Sequence, residues 1–490
     1  MIFDLNKNYI SHFEGSYDVC VCGGGAAGIV LALELANRGR KVALIEGGGM
    51  GYDEKSQAIY AGESIGSEYY NHLQYCRLRY LGGTTNHWAG RCMTMQPIDF
   101  EKRDYLDLSG WPIPKSDLDE YLNQTLKILD IDEKLADIKN ITPLPDSSFI
   151  TAWSGRSAPT RFGQKYLKEL SDHPKIDLFL NVNVTDIQLD ENHRHVNGIV
   201  AKGYGGRSLS FSGNNYVLSS GAIENARFLL NSDSQLPNGI GNHSDYVGRC
   251  FMEHFNVDLG RVVADLDNKI WQNGSLELFP SETLAREKEI GTGVLSISVG
   301  GEHPLHGRLK VFKEFVRDSV CRSATLTDLS QKMTHFNCPG DGVISTLIEQ
   351  EPNKKSRITL SNTKDSLGLR QVQLNWQISD FDRRTIRTLG FEVAKELARL
   401  DLARVKLPEY LIEDDGNYLF GAHCHQMGTT RMAQNAKDGV VDSNCKVFGI
   451  DNLYVAGSSV FPTGGGVNPT LTIVQLSLRL AGHIAGKLSG

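Results

Sequence analysis

Between Tyr17 and Glu46 the chain reads strand, glycine turn, helix, strand, acid, and this order narrows its possible folds more than any other stretch. Residues 17–22 (YDVCVC) have strand propensity and run directly into Gly23-Gly24-Gly25-Ala26-Ala27-Gly28. Residues 26–38 are rich in alanine and leucine and read as a helix that ends near Gly39. Residues 41–45 (KVALI) read as a second strand, and Glu46 follows. Gly23 permits the tight turn, Gly25 lets the backbone approach a pyrophosphate, and Gly28 lets helix and strand pack closely. The N–H groups of Ala26 and Ala27 open the helix and bring its positive dipole end to the phosphates. Glu46 lies 18 residues past Gly28, where a carboxylate can accept hydrogen bonds from an adenosine ribose. Its charge disfavours a 2′-phosphate. The pattern predicts dinucleotide binding, leaves FAD and NAD open, and makes NADP the poorest candidate.

At 490 residues the chain exceeds one ordinary core, which rarely grows past about 250–300 residues, so more than one lobe is expected. Its formal charge of −7 argues against a basic nucleic-acid binder. No apolar run is long enough to span a bilayer, and the first 15 residues lack the basic and apolar regions of a signal peptide. A cytoplasmic location, with neither membrane nor nucleic-acid partner, is the simplest expectation. The nine cysteines are odd in number and irregularly spaced, which predicts reduced thiols. Cys20 and Cys22 read as buried strand residues. No metal site is expected, and no C-x-x-C-H is present for haem attachment.

The far end of the chain is the second informative stretch. It contains HCHQMGTTRM from His423, a strand pattern at 453–456 closed by Gly457, and TGGGVNPTLT before a terminal apolar stripe. Asn468 suits a helix N-cap and Pro469 a first helical position, with Thr470 next.

Together these segments resemble the glucose–methanol–choline oxidoreductases, FAD enzymes that oxidise alcohols. The resemblance rests on Gly23–Gly28 with Glu46, GGTTNHWAGR at 82–91, SSGAIENARFLL at 219–230, GRCFMEH at 248–254 and the C-terminal block. It leans toward the bacterial sugar dehydrogenases and pyranose oxidases through Gly82-Gly83-Thr84-Thr85-Asn86-His87-Trp88 and GTTRM at 428–432. Many members have Thr-Pro where this chain has Asn225-Ala226, which weakens a close match to the glucose and choline oxidase branches.

The resemblance implies an α/β fold: a Rossmann-like FAD-binding domain (1–100, 170–255 and 415–490) and a discontinuous substrate domain on a mostly antiparallel sheet (101–169 and 256–414). It implies His425 as the general base that takes the hydroxyl proton of a secondary alcohol in a sugar, glycoside or polyol while hydride passes to flavin N5. Asn468, 43 residues on, would hold the same oxygen. Gly83, Thr84, Asn86, His87 and Gly457 would bind the cofactor, Val184 would contact the adenine, and the helix opened by Pro469 and Thr470 would point its N-terminus at the flavin pyrimidine. FAD is expected to be non-covalent; a bond through His87, as in pyranose oxidases, is the alternative. His254 is expected to be structural. The acceptor would be O₂ or a soluble carrier, and the oligomeric state is left open. Lyase-type chemistry on the same fold, or oxidation of a non-sugar alcohol, is the competing reading, and a non-enzymatic dinucleotide-binding module is the third. Outside the resemblance, residues 116–131 read as one amphipathic helix, and 341–376 as strands with turns at Pro352-Asn353 and Asn362-Thr363.

Overall fold

The strand Glu14–Cys22 lies inside a sheet, because Val19 to Cys22 are at most 1 % exposed and such residues need neighbours on both faces. The computed structural model describes residues 1–7, 14–66, 70, 73–131, 142–144, 146–151, 154–266, 268–271, 274–300, 315–316, 319–323, 325–326, 329–330, 333, 338, 340–414, 418 and 420–488. The sheet runs Ile2–Asp4, Ile176–Leu180, Val42–Glu46, Glu14–Cys22, Ser208–Leu218, Val196–Lys202, Asn183–Leu189. Its first five strands are parallel and the last two pair antiparallel. Leu453–Val455 adds a parallel contact to Ser208–Leu218, so the last third of the chain returns to the glycine-turn sheet.

The glycine turn forms as the sequence predicts. Gly23 has φ +116°, and a Cβ on Gly28 would lie 1.8 Å from the Gly23 carbonyl oxygen, a contact only glycine permits. The helix Ala26–Asn37 follows and packs beside the terminal helix Thr470–Lys487. Cys20 and Cys22 are buried strand residues, as expected.

A second, antiparallel sheet is ordered Ala403–Lys406, Arg261–Ala264, Asp341–Ile348, Gly293–Val299, Ser275–Pro280, Phe149–Thr151, Thr142–Pro143. Phe255–Asn256 joins it through Ile348 and pairs on its other side with Gly421–Ala422. A smaller sheet sets Arg357–Lys364 and Arg370–Asn375 against Gly62–Ser64.

Four local expectations need correction. The helix predicted over 116–131 is two pieces, Ser116–Asp119 and Leu122–Ile128. Tyr121 N–H bonds back only three residues, to Leu118, which breaks the helical ladder, and Asp130 at φ 54° ends it. The turn predicted at Asn362-Thr363 is a register irregularity within a strand. The chain reverses at Asp365–Leu369, where Asp365 accepts from Gly368 N–H and Gly368 has φ 89°. Asn468 does not cap the terminal helix: Pro469 occupies the N-cap position, and the Asn468 side chain is turned aside. Finally, Cys321 and Cys338 are not reduced but bonded to each other. Their Cα atoms are 5.7 Å apart, within the span a disulfide bridges. The other seven cysteines are free.

Candidate active site

A cavity of about 570 Å³ opens along the glycine turn, a size usual for ligand sites. Gly23, Gly25, Ala26 and Ala27 form one wall, with Glu46 beyond them. A Cβ built on Gly25 meets no protein atom within 4 Å, so the turn's surface there is open to a ligand. Gly28 lies behind the wall and packs on Gly23. Both Glu46 carboxylate oxygens accept backbone N–H groups, from Gly24 and Gly48, each at 2.8 Å. Those bonds hold the carboxylate rigid at the cavity edge, and each oxygen keeps a lone pair for a further donor. Gly83, Thr84, His87, Val184, Gly457, Pro469 and Thr470 also line the cavity. Asn86 does not: its amide donates to the Leu81 carbonyl at 2.8 Å and braces the loop from behind.

The end of the cavity at His425 is built by two loops strapped together. Met252 and Met427 exchange backbone hydrogen bonds at 3.1 and 3.0 Å, which joins 250–256 to 421–432. On its other side the same loop donates from Gly428, Thr430 and Met432 to the carbonyls of Ser458, Ser459 and Val460. His425 is thereby held between the two sheets. Its Nε2 lies 3.5 Å from Asn468 Nδ2, so residues 43 apart in sequence stand side by side on the cavity wall. Burial, then the neighbouring His254 and His423, lower the His425 pKa well below the usual histidine range. The ring is therefore neutral near pH 7, with a lone pair to offer. Asn468 Oδ1 is buried and has no partner among the described residues. A buried acceptor of that kind marks a place for a donor the protein does not supply.

Several residues not expected to take part surround His425 and Glu46. The fully buried Glu253 carboxyl accepts from His425 N–H at 2.5 Å, His254 N–H at 3.0 Å and the Tyr70 hydroxyl at 2.7 Å. Burial raises its pKa to about 8. His254, expected to be structural, packs directly against His425. Its Nδ1 is 3.0 Å from His425 Nδ1. Gln426 donates to Tyr70 and to Cys76 Sγ. A hydrogen bond from Cys424 lowers the Cys76 thiol to about 7 against the effect of burial. Near Glu46, the buried Arg79 guanidinium donates to Tyr204 and Asn183 at 2.6 and 2.8 Å. Adjacency to His254 in GRCFMEH was the one clue to Glu253. Nothing in the sequence pointed to Tyr70 or Arg79.

FAD fits these features. The open glycine wall and a helix N-terminus can receive phosphates, Glu46 can meet a ribose, and the N-terminus of Thr470–Lys487 opens into the cavity by Asn468.

Residues 352–477 match the family profile described as GMC oxidoreductase, and residues 18–233 match the one described as FAD dependent oxidoreductase. Among curated relatives, paromamine 6′-oxidase of Streptomyces fradiae is 24 % identical, the match covering 96 % of this chain and 92 % of that protein. C-glycoside 3-oxidase of Microbacterium trichothecenolyticum is 25 % identical over 84 % of this chain and 76 % of that one. Among solved structures, pyridoxine 4-oxidase from Mesorbium loti superposes with a TM-score of 0.58 at 17 % identity, over 95 % of this chain and 98 % of that one. At that identity the likeness shows the fold. Among the described residues, no helix is long and apolar enough to cross a membrane.

Proposed function

We propose, from the premise that the chain belongs to the GMC oxidoreductases and is an FAD-dependent oxidoreductase of CH–OH groups, that it oxidises a secondary hydroxyl of a sugar or glycoside with His425 as the base. The observation that carries this reading is the adjacent pair His425 and Asn468 in the cavity, with Asn468 Oδ1 buried and unpartnered. The sugar class is supported by relatives named as a paromamine 6′-oxidase and a C-glycoside 3-oxidase.

The flavin, when bound, supplies the acceptor for the hydride. The residues do the rest. His425 is neutral at the working pH and can take the hydroxyl proton as the carbinol hydride departs. Asn468 orients the same oxygen and does not compete for its proton, because an amide is not a base in this range. Burial of Glu253, His254 and Tyr70 behind the pair keeps water away from the back of the base and fixes the backbone at 425. His87 lines the cavity without serving as a covalent anchor in this proposal.

The same reading assigns 1–100, 170–255 and 415–490 to FAD binding, and 101–169 and 256–414 to the substrate. All the described residues lining the cavity fall in the first set, which supports the assignment. Contacts from the second set, Glu277 to Arg91 and the Thr346 carbonyl to His423, touch the cavity's outer residues. Reoxidation is assigned to O₂ or a soluble carrier.

Anaerobic addition of pyranoses and glycosides to the holoenzyme, with choline and benzyl alcohol as controls, tests the function. Bleaching of the flavin by the sugars is expected. Bleaching by the controls alone would overturn the substrate class, and no bleaching by any alcohol would favour lyase-type chemistry.

A further inference from the structure

His254 and His425 meet through like ring nitrogens, Nδ1 to Nδ1, at 3.0 Å. One of the two must donate and the other accept. The far side of His254 decides which. Its Nε2 lies 2.7 Å from the Gly465 carbonyl oxygen. A carbonyl oxygen only accepts, so His254 carries its hydrogen on Nε2. The ring is fully buried, and burial lowers its pKa to about 4, so it is neutral and has one N–H. Its Nδ1 is therefore bare and accepts. His425, neutral for the same reason, donates from Nδ1, and its Nε2 holds a lone pair. That nitrogen is the one beside Asn468 on the cavity wall.

The other tautomer of His425 is penalised where the rings meet, because it would set two Nδ1 lone pairs against each other at 3.0 Å. The carbonyl that starts the chain is itself anchored. Thr463, two residues before Gly465, donates to the Asp99 carbonyl at 2.8 Å and accepts from Trp111 at 2.9 Å. A Cβ on Gly465 would stand 2.8 Å from the buried Asp99 carboxylate.

We infer that His254 is a positioning residue that fixes His425 as its Nδ1–H tautomer, so that the Nε2 lone pair faces the reacting hydroxyl. The inference rests on the proposal that His425 is the proton acceptor. It adds a direction to the hydrogen-bond chain from Gly465 through His254 to His425, and gives a role to a histidine with no contact to the substrate.

Two variants separate positioning from packing. His254→Gln keeps both functions, since its amide nitrogen can donate to Gly465 and its amide oxygen can accept from His425. His254→Leu keeps bulk and loses both. The readout is a long-range ¹H–¹⁵N correlation spectrum of the holoenzyme labelled with ¹⁵N-histidine, with His425 assigned by its loss in His425→Ala. Wild type and His254→Gln should show His425 protonated on Nδ1 and bare on Nε2. His254→Leu should shift His425 toward Nε2–H and slow anaerobic flavin reduction about tenfold or more, while His254→Gln stays within about threefold of wild type. A wild-type His425 protonated on Nε2 would overturn the inference, whether or not His254→Leu folds. So would retention of the Nδ1–H signature in His254→Leu. If instead His425→Ala alone reduced flavin normally, the base assignment would fall while the tautomer could still be read from the spectrum.

Discussion

Gly25 and Gly28 stand three residues apart on one turn and are glycine for different reasons, which replacing each with alanine separates. At Gly28 the added methyl would lie 1.8 Å from the Gly23 carbonyl oxygen and 2.8 Å from Ser219 Oγ. Backbone must move, and overpacking of this kind costs about 1–3 kcal/mol or more. That cost falls on the fold with or without cofactor. At Gly25 the methyl meets no protein atom within 4 Å, and the backbone φ of −81° suits alanine. The protein tolerates it, apart from an N-cap penalty of about 1 kcal/mol. The methyl instead fills the place where phosphates approach the turn. Loss of one hydrogen bond to a charged phosphate is worth about 1.5–3 kcal/mol, or roughly ten- to 150-fold in FAD affinity. The assay is FAD titration of stripped protein by flavin fluorescence, paired with melting temperatures with and without FAD. Gly28→Ala should lower both melting temperatures. Gly25→Ala should lower chiefly the holoenzyme's and weaken FAD binding at least about tenfold. A Gly25→Ala protein that holds FAD within about threefold of wild type would refute the placement of the cofactor on this turn.

Acid precipitation of the wild type should leave a colourless pellet and a yellow supernatant if FAD is held without a bond to His87, as proposed; a yellow pellet that becomes colourless in His87→Ala would contradict this. Burial raises the Glu253 carboxyl from 4.5 to about 8, so the folded state keeps a proton that the unfolded chain releases. Its contribution is greatest below the unfolded pKa and is lost as pH rises toward 8. Glu253→Gln can accept the same two backbone N–H groups, so its melting temperature relative to wild type should rise between about pH 5 and 8; a pH-independent difference would show that Glu253 is not the buried protonated acid.

The glycine turn was legible because each residue's role there is local: a positive φ at Gly23, a close approach at Gly28, an acid at the end of the next strand. The same holds for the cavity residues at 83–87 and 468–470, whose identities travel with their neighbours in short motifs, although Asn86 braces the loop instead of facing the cavity. What the sequence concealed depends on partners distant along the chain. Local pattern alone reads Asn468 as a cap, and only the family resemblance pairs it with His425, from which the structure sets it 3.5 Å away. His254 reads as a core residue until the Met252–Met427 pairing sets it against His425. The break at Tyr121 and the late turn at Asp365–Leu369 are decided by single hydrogen bonds that periodicity does not register. The Cys321–Cys338 bond joins residues 17 apart, a pairing that irregular cysteine spacing gives no sign of.

The most direct test of the account is the rate of anaerobic flavin reduction in His425→Ala with a sugar that reduces the wild type. A positioned base contributes about 10²–10⁴-fold, roughly 3–5.5 kcal/mol of barrier. Reduction should slow by that factor while FAD stays bound and the melting temperature stays close to that of the wild type. Reduction within about threefold of wild type would contradict the claim that His425 takes the proton.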